Sequence, residues 1–422
     1  MDYKIPRGTY DILPEKSHIW QEAKKVFAEV AASFGYEEIV TPVFEQSDLF
    51  ERSSGESSDI VQKEMYKFND RKGRSFALRP EGTAPVVRSY VENRLDLKSR
   101  ISKLYYSGPM FRYDRPQAGR YRQFYQYGIE LIGSNHPYFD AEVIALEWEF
   151  LRRLGLKDID LQINSVGCGN CATDYEQALR EYYRPYMEEL CPDCKLRYDK
   201  KTKRLLDCKV DSCRTIASEA PTQLEYLDSE CLAHFESVKA FLAYFDVPYS
   251  INPRIVRGLD YYTNTAFEFI NVALGAQNSI AGGGRYNNLI EQMGGRSVPA
   301  IGFAGGWERL LLSLDNANIS ICETPKPDAY IVVMGSAALE KAVTLMLSLR
   351  REGIWCEYDP DKSSLKAQMK AADAKGATFA IIIGENELAQ GIVVLKNLQS
   401  SEQMTLSFID TKAIAQTIRN PR

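Results

Sequence analysis

The sequence predicts an α+β protein with more than one domain, in which an antiparallel sheet with flanking helices and a helical insertion precedes a small α/β domain. Residues 101–133 have the pattern of a β-hairpin, with two apolar arms around a basic turn. A proline-rich stretch at 323–328 marks a linker, and strand and helix patterns alternate after it, which predicts a largely parallel sheet. We therefore expect a first domain over 1–322, with an insertion at about 168–250, and a second domain over 329–422.

Composition limits the classes of function. The 422 residues are 45% hydrophobic and 26% charged, with a net charge of −5, so the chain can build a core and any nucleic-acid contact must use local basic patches. The first ten residues lack the apolar core of a signal peptide, and no run approaches the roughly 18 apolar residues of a membrane span. We expect a cytosolic protein without membrane contact, whose nine cysteines stay reduced.

Several common designs of active site are absent from the sequence. Only three histidines occur, His18, His136 and His234, and they do not cluster, which argues against Ser-His-Asp chemistry and a histidine-rich metal site. There is no GxxxxGK[ST] motif and no GxGxxG after a strand. If the protein binds a nucleotide, it therefore does so by another design.

The N-terminal part predicts a helix at 17–34, a strand at 37–45 that contains Pro42, and a polar loop at 51–60. Proline cannot donate to a strand ladder, so this strand lies at an edge, either in a dimer contact or covered by the same chain. Thr83 is a candidate cap for the helix after residue 84.

The second arm of the hairpin has two different faces. Tyr125, Tyr127, Ile129 and Leu131 point one way, and Gln126, Gly128 and Glu130 the other. An amide and a carboxylate separated by a glycine, with arginines in the turn, suit a small ligand with a donor group and an anionic group. The alternative is an ordinary hairpin with a solvated basic turn.

Three arginines lie near glycine-rich turns or at the end of a hairpin arm. Arg112 ends the first arm, Arg257 precedes Gly258, and Arg309 follows Gly305-Gly306. The guanidinium group binds phosphate in a bidentate manner, and nearby glycines let backbone approach an anionic ligand. Together the three predict a polyphosphate site.

The motifs occur in an order that resembles the histidyl-tRNA synthetases, which are class II aminoacyl-tRNA synthetases. IPRGTYDILP resembles the N-terminal signature of that family, and YEEIVTPVFE its first class motif, with an interface proline at Pro42. MFRYDRPQAGRYRQFYQYGIE and GFAGGWERLLL resemble the second and third class motifs. VRGLDYYTNTAFEF and AGGGRYNNLI resemble the two signatures specific to the histidine enzymes.

The resemblance implies a fold, an activity and partners. The fold is a class II antiparallel catalytic domain with a helical insertion and a C-terminal α/β anticodon-binding domain. The activity is that of a histidine–tRNA ligase, which activates L-histidine with ATP and Mg²⁺ and transfers it to the 3′ end of tRNA(His). The implied oligomer is a homodimer.

The resemblance also implies a role for each site residue. Arg112 and Arg257 are the catalytic pair, at the α-phosphate and the amino-acid carboxylate, and Arg309 belongs to the ATP site. Arg120 could reach either phosphate or tRNA and is assigned to ATP. The residues implied to surround histidine are Glu81, Gly82, Thr83, Arg112, Gln126, Glu130, Arg257, Tyr261, Tyr262 and Tyr286. Glu130 and Tyr262 would each meet one imidazole nitrogen, which would discriminate strongly against other amino acids. Arg115, Gln117 and Arg122 would face the tRNA.

The cysteines of the insertion have the spacing of a zinc site. Two CxxC pairs occur at 168–171 and 191–194, and the preferred tetrad is Cys191, Cys194, Cys208 and Cys213. The alternative is a set of reduced structural cysteines, and the family does not require zinc for catalysis.

A second function remains open at this point. Synthetase-like paralogues act as histidine-binding regulatory subunits of ATP phosphoribosyltransferase, and they typically lack the C-terminal domain. Residues 325–422 and the three arginines argue against that alternative.

Overall fold

The computed structural model describes residues 3–55, 58, 60–117, 119–200, 202–206, 208–255, 261–272, 274 and 278–420. The chain divides into two compact units, residues 1–322 and 323–422. Each is described by itself below.

The first unit is built from eleven strands and eleven α-helices within the described residues, besides short 3-10 and π-helical turns. Its strands are β1 (Glu37–Glu38), β2 (Phe44–Gln46), β3 (Lys67–Asn69), β4 (Ser75–Leu78), β5 (Ser102–Phe111), β6 (Gln123–Ile132), β7 (Asp160–Ser165), β8 (Ser250–Ile251), β9 (Thr263–Ile270), β10 (Ser279–Arg285) and β11 (Ala300–Gly306). Its helices are α1 (Pro14–Ser33), α2 (Ser47–Ser54), α3 (Thr83–Glu92), α4 (Leu95–Lys98), α5 (Pro137–Arg153), α6 (Gly169–Tyr183), α7 (Pro192–Lys200), α8 (Asp211–Ser218), α9 (Ser229–Tyr244), α10 (Leu289–Gln292) and α11 (Trp307–Asn316).

An eight-stranded sheet organises this unit. Its order is β1-β5-β6-β11-β10-β9-β7-β8, and the pairs from β5 to β7 are antiparallel, whereas the short edge strands β1 and β8 pair in parallel. One face of the sheet packs against α1, α5, α9 and α11 in the largest apolar core of the described residues. The other face packs in part against α3 and α10 in two smaller apolar clusters, and it also carries the site described below.

Helix α1 shows how the sequence covers that core. Proline occupies its first position, where a missing N–H costs nothing, and Trp20, Phe27 and Val30 recur on one buried face. Gly35, at φ +80°, follows the C-terminus in a backbone conformation that favours glycine.

The strand predicted at 37–45 is wrong in one respect. Residues 37–38 pair with β5 in the large sheet, whereas 44–46 pair with β4 in a separate three-stranded sheet, and Pro42 lies between them. Proline interrupts the ladder, so the chain changes sheets there. The loop predicted at 51–60 is also wrong in part, since α2 continues to Ser54 and a π-helical turn runs from Ile60 to Glu64.

Most of the insertion has a core of its own. Helices α6, α7 and α8 surround buried side chains that include Tyr175, Tyr183 and Cys194. Helix α9 instead packs on α5 and contributes Phe235 and Leu242 to the core beneath the sheet. The segment with an independent core thus ends before α9.

The second unit has five strands and four helices within the described residues. They are β12 (Ala329–Val333), α12 (Ser336–Arg351), β13 (Cys356–Glu357), α13 (Leu365–Ala374), β14 (Phe379–Ile383), α14 (Glu385–Gln390), β15 (Ile392–Asn397), β16 (Gln403–Ser407) and α15 (Thr411–Arg419). The sheet order is β13-β12-β14-β15-β16. The β13, β12 and β14 pairs are parallel, but the pairs β14–β15 and β15–β16 are antiparallel, so the predicted largely parallel sheet is in fact mixed.

Among the described residues, no helix has the length and apolar character that crossing a membrane requires.

Candidate active site

The floor of the site is the face of β6 that points away from the core. Tyr127, Ile129 and Leu131 are fully buried against the helices, as the alternation of the sequence predicts. Gln126, Gly128 and Glu130 therefore lie on the opposite face. Strands β5 and β11 flank β6 and supply the neighbouring positions.

Glu130 is the most deeply buried acid on this face, with only 1% of its surface exposed. Its Oε2 accepts a hydrogen bond from the Tyr286 hydroxyl. A Cβ atom at Gly302, the cross-strand partner of Glu130, would overlap the same oxygen, so this position needs glycine. Burial raises the pKa of Glu130 to about 8, although the Tyr286 hydrogen bond opposes the shift.

Glu81 is a second buried carboxylate, at the start of α3. Its two oxygens accept the backbone N–H groups of Thr83 (2.6 Å) and Ala84 (2.9 Å), so Glu81 caps the helix. The predicted cap, Thr83, is instead the first helical residue. Burial raises the pKa of Glu81, while these N–H groups and the charge of Arg112 act in the opposite direction.

Two predicted glycines hold a tyrosine that the sequence reasoning missed. A Cβ atom at Gly82 or at Gly128 would overlap the side chain of Tyr106, which lies on β5 directly opposite Gly128. Applying period-two alternation to the first hairpin arm would have found it. Glycine at both positions leaves room for the Tyr106 ring between the start of α3 and β6.

The walls of the pocket are aromatic, and buried acceptor oxygens lie among them. The Tyr261 ring lies 4.8 Å from that of Tyr262 and 5.6 Å from that of Tyr286, measured between centroids. Oε1 of Gln126 and Oε1 of Glu130 are buried, and neither has a hydrogen-bond partner among the described residues. A ligand with N–H donors would satisfy both oxygens.

The arginines lie at the other end of the site. Nε of Arg112 donates to the carbonyl of Pro80 (2.8 Å), and its guanidinium lies 5.3 Å from the Phe124 ring centroid. Arg309 donates to the carbonyls of Gly119 (3.3 Å) and Ser279 (2.9 Å). These backbone contacts hold both guanidinium groups in place.

The arginine groups also influence one another electrostatically. Burial lowers the pKa of Arg309, and the charges of Arg120 and Arg112 lower it further. Burial likewise lowers the pKa of Arg112. All three remain cations, because arginine does not lose its charge in proteins, and their mutual repulsion favours an anionic ligand between them.

The turn between β5 and β6 holds the remaining predicted residues. Arg120 pairs with Asp114 (2.7 Å), and the Arg122 guanidinium lies 4.1 Å from the Tyr113 ring centroid. The side chains of Arg115 and Gln117 are exposed. The loop therefore presents cations to solvent beside the arginine end of the pocket.

One predicted catalytic residue cannot be located. Arg257 falls in 256–260, outside the described residues.

Sequence reasoning missed two carboxylates near the site, Asp140 and Glu308, that hold neighbouring elements together. Arg285, fully buried after the triple glycine, binds both oxygens of Asp140, which also contacts His234 at 3.2 Å. Arg285 and His234 lower the pKa of Asp140 against the effect of burial. The Glu308 carboxylate accepts both the Tyr10 hydroxyl and the Tyr125 N–H, each at 2.8 Å.

The structure brings the predicted cysteine tetrad together. The sulfur atoms of Cys191, Cys194, Cys208 and Cys213 all lie within 4.8 Å of one another. Sγ of Cys191 is 3.8 Å from that of Cys208. The four atoms have the number and spacing of a closed zinc site.

Comparison with known proteins gives matches over both units. Residues 8–310 match the family model described as histidyl-tRNA synthetase, and residues 328–417 match an anticodon binding domain. The chain is 50% identical over 402 residues to a histidine–tRNA ligase of Desulforamulus reducens, covering 95% of this chain and 96% of that protein. It is 45% identical to that of Caldicellulosiruptor saccharolyticus over the whole of both chains.

Solved structures agree with these matches. The apo histidyl-tRNA synthetase of S. aureus is 40% identical, with a TM-score of 0.84 over 99% of this chain and all of that one. A Bacillus halodurans protein described as an ATP phosphoribosyltransferase regulatory subunit/histidyl-tRNA synthetase shares the fold, with a TM-score of 0.66 at 22% identity over 91% of this chain and 99% of that one. The sequence matches and the shared fold together show that the chain belongs to the histidyl-tRNA synthetase family.

Proposed function

We propose that this chain attaches L-histidine to tRNA(His) in two steps at the site described above. In the first, a carboxylate oxygen of histidine attacks the α-phosphorus of ATP, the bond to the β-phosphate breaks, and pyrophosphate leaves. In the second, a terminal ribose hydroxyl of the tRNA attacks the histidyl carbonyl, and AMP leaves. The observation that carries the proposal is a buried pocket with unpartnered acceptor oxygens beside a group of arginines on one sheet face, in a chain of this family.

The pocket end would receive the side chain and ammonium group of histidine. Glu130 and Tyr262 would each meet one imidazole nitrogen, and Glu81, Thr83 and Gln126 would receive the ammonium group. The unpartnered Oε1 atoms of Gln126 and Glu130 support this role, since they need N–H donors. A smaller or apolar amino acid would leave these oxygens buried without a partner, which gives specificity.

The arginine end would receive ATP with its Mg²⁺. Arg112 donates to the carbonyl of Pro80, the residue before Glu81, and would bind both the histidine carboxylate and the α-phosphate. Arg309 and Arg120 would hold the distal phosphates, and Arg257 would stabilise charge at the α-phosphate. Mg²⁺ would neutralise the pyrophosphate.

The tRNA would meet two parts of the chain. Arg115, Gln117 and Arg122 in the exposed turn would contact its acceptor end, and residues 329–422 would contact the anticodon. Two of these turn residues are cations suited to phosphate. The reaction belongs where charged tRNA is used, in the cytosol.

A homodimer is part of the proposal. Around Pro42, Val40 (82% exposed), Val43 and Phe44 are exposed large apolar side chains, and the Phe44 ring packs with those of Phe68 and Phe76 on the small sheet. Such an apolar patch is typical of a subunit contact. Sedimentation equilibrium of the full chain tests it, and a monomer at micromolar concentration contradicts it.

The proposal also includes a structural zinc ion, bound by the tetrad of Cys191, Cys194, Cys208 and Cys213. The separation of 3.8 Å between Cys191 and Cys208 sulfurs matches the edge of a tetrahedron with Zn–S bonds of about 2.3 Å. The N–H of Cys191 points to the sulfur of Cys213 (3.3 Å), an arrangement that stabilises a thiolate. Zinc content near zero in purified protein contradicts it.

Histidine-dependent exchange of pyrophosphate into ATP tests the proposed activity. We expect exchange with histidine, none with other amino acids, and charging of tRNA(His) in the complete reaction. Folded protein that shows no exchange but restores ATP phosphoribosyltransferase activity would overturn the proposal in favour of a regulatory subunit.

A further inference from the structure

A second group of possible metal ligands lies where the insertion leaves and re-enters the large sheet. The chain leaves β7 at Ser165 and returns through α9, which begins at Ser229. Near these two points, the ligand atoms of four residues lie within 4.8 Å of one another: Cys168, Cys171, Asp228 and Cys231. We call these four residues the neck cluster.

The distances within the neck cluster are close to those of a tetrahedral zinc site. The sulfurs of Cys168 and Cys171 are 3.6 Å apart, and each lies 3.2 Å from Oδ2 of Asp228. With Zn–S bonds of about 2.3 Å and a Zn–O bond of about 2.0 Å, a tetrahedron has edges of about 3.8 Å between sulfurs and about 3.5 Å between sulfur and oxygen. For these three ligands an ion would require outward movements of only a few tenths of an ångström, and the sulfur of Cys231, within 4.8 Å of the other ligand atoms, completes the set.

Other contacts hold the ligands in this arrangement. Oδ1 of Asp228 accepts the N–H of Cys231 (2.7 Å) and caps α9, which leaves Oδ2 directed at the sulfurs. The N–H of Asp228 donates to the sulfur of Cys171 (3.2 Å). Gly167, at φ +65°, has no room for a Cβ atom because Cys171 packs against it. These contacts orient the ligands without any disulfide.

The neck cluster shares its plan with the tetrad in the core of the insertion. In both, a CxxC pair stands at the start of a helix, α6 for Cys168 and Cys171 and α7 for Cys191 and Cys194. In both, the backbone N–H of one ligand residue points to the sulfur of another, from Cys191 to Cys213 and from Asp228 to Cys171. The difference is one ligand, because a carboxylate stands in the place of the fourth sulfur.

We propose that the neck cluster binds one zinc ion through three thiolates and the Asp228 carboxylate. The ion would tie together positions 60 residues apart and so close the insertion at its base. The cluster also lies next to β9, the strand that directly follows Tyr261 and Tyr262. The Asn264 N–H donates to Gly167 (2.8 Å), and its side-chain amide lies 3.9 Å from the sulfur of Cys231. Asn264 is three residues after Tyr261, so the ion would steady the insertion against the histidine pocket.

Metal content of the full chain tests the proposal independently of aminoacylation. Protein is purified under reducing conditions, incubated with zinc chloride, freed of excess metal and measured by mass spectrometry. We expect about two zinc ions per chain, one in each cluster. The double variant Cys168→Ser/Cys171→Ser should retain about one, as should Cys191→Ser/Cys194→Ser, and the control Cys322→Ser should retain two.

A second measurement covers the case in which a variant does not fold. Alkylation of the parent protein, mapped by peptide, should leave Cys168 unmodified with zinc bound and modify it after a chelator removes the metal. Cobalt loading of the same protein should give charge-transfer absorbance for seven bound sulfurs, three from the neck cluster and four from the tetrad.

Three results would overturn the inference. One is a zinc content of one or less per chain that disappears with Cys191→Ser/Cys194→Ser. Another is alkylation of Cys168 that is equal with and without zinc. The third is a disulfide between Cys168 and Cys171 in protein purified under reducing conditions.

Discussion

The two ends of the active site have opposite electrostatic designs. At the pocket end, Glu81 and Glu130 are 4% and 1% exposed, and burial raises the pKa of both carboxyl groups. At the other end, burial and neighbouring arginines lower the pKa of Arg309. Arg112 lies between them and is influenced by charges from both sides.

This contrast favours a ligand of the opposite kind at each end. Buried carboxylates without a cation are unfavourable, and so are guanidinium groups that repel one another. The ammonium and imidazole of histidine would satisfy the first, and the phosphates of ATP the second. A polar environment arranged before the substrates arrive needs no reorganisation during the reaction.

Replacing the residue between the two ends should have the largest effect. Arg112→Ala should lower kcat/KM for histidine-dependent pyrophosphate exchange by about 10³-fold, because Arg112 would bind charge that develops in the transition state. Arg115→Ala in the exposed turn is the control and should change exchange by less than about twofold. Similar losses in the two variants would contradict the role of Arg112.

The pocket end should depend on Glu130 for affinity. Glu130→Ala should raise KM for histidine by about 10²-fold, because a hydrogen-bonded buried partner is lost, and should relax the rejection of other amino acids. Exchange measured over a range of histidine concentrations checks this. Tyr286→Phe removes only the hydroxyl that contacts Oε2 of Glu130 and should raise KM for histidine by about tenfold. An unchanged KM for histidine in Glu130→Ala would contradict the role of Glu130 in binding histidine.

The raised pKa of Glu130 predicts how the stability of the ligand-free protein depends on pH. Because the folded-state pKa of about 8 exceeds the usual 4.5, the folded state holds this proton more tightly, and the stability it contributes is lost as pH rises between those values. Glu130→Gln removes this titration. Between pH 6 and 8.5, the parent should therefore lose about 2 kcal/mol more than Glu130→Gln in its free energy of unfolding.

Urea unfolding of both proteins at the two pH values measures that difference. Glu149→Gln, at a half-exposed carboxylate paired with Arg153, is the control and should follow the parent. A Glu130→Gln variant whose stability follows the parent at both pH values would contradict a raised pKa at Glu130.

The smallest effect should come from the exposed turn, and only in the second step. Arg115→Ala should lower kcat/KM for charging of tRNA(His) by about tenfold, since a phosphate contact is lost, while exchange stays constant. The test is to measure both reactions on one preparation. Charging at the parental rate would place the acceptor end elsewhere.

Local patterns predicted much of the fold. The hairpin of β5 and β6 and the two faces of β6 follow from alternation alone, and α1 lies close to its predicted bounds of 17–34. The failures occurred where a local pattern is ambiguous. Pro42 separates two strands of different sheets, and β15 and β16 turn the C-terminal sheet from parallel to mixed, because strand direction depends on the connections and not on side-chain period.

The residue types of the site could be predicted from the sequence, but their partners could not. Side-chain alternation and glycine positions reflect local backbone geometry. They therefore predicted that Glu130 and Gly128 share a face and that arginines lie near turns. The contact between Glu130 and Tyr286 joins residues 156 apart, and that between Arg309 and Gly119 joins residues 190 apart. The neck cluster was missed for the same reason, since Asp228 follows Cys168 by 60 positions. Only the order of strands and the packing of helices on them bring such residues together, because these depend on the whole core and not on any local stretch.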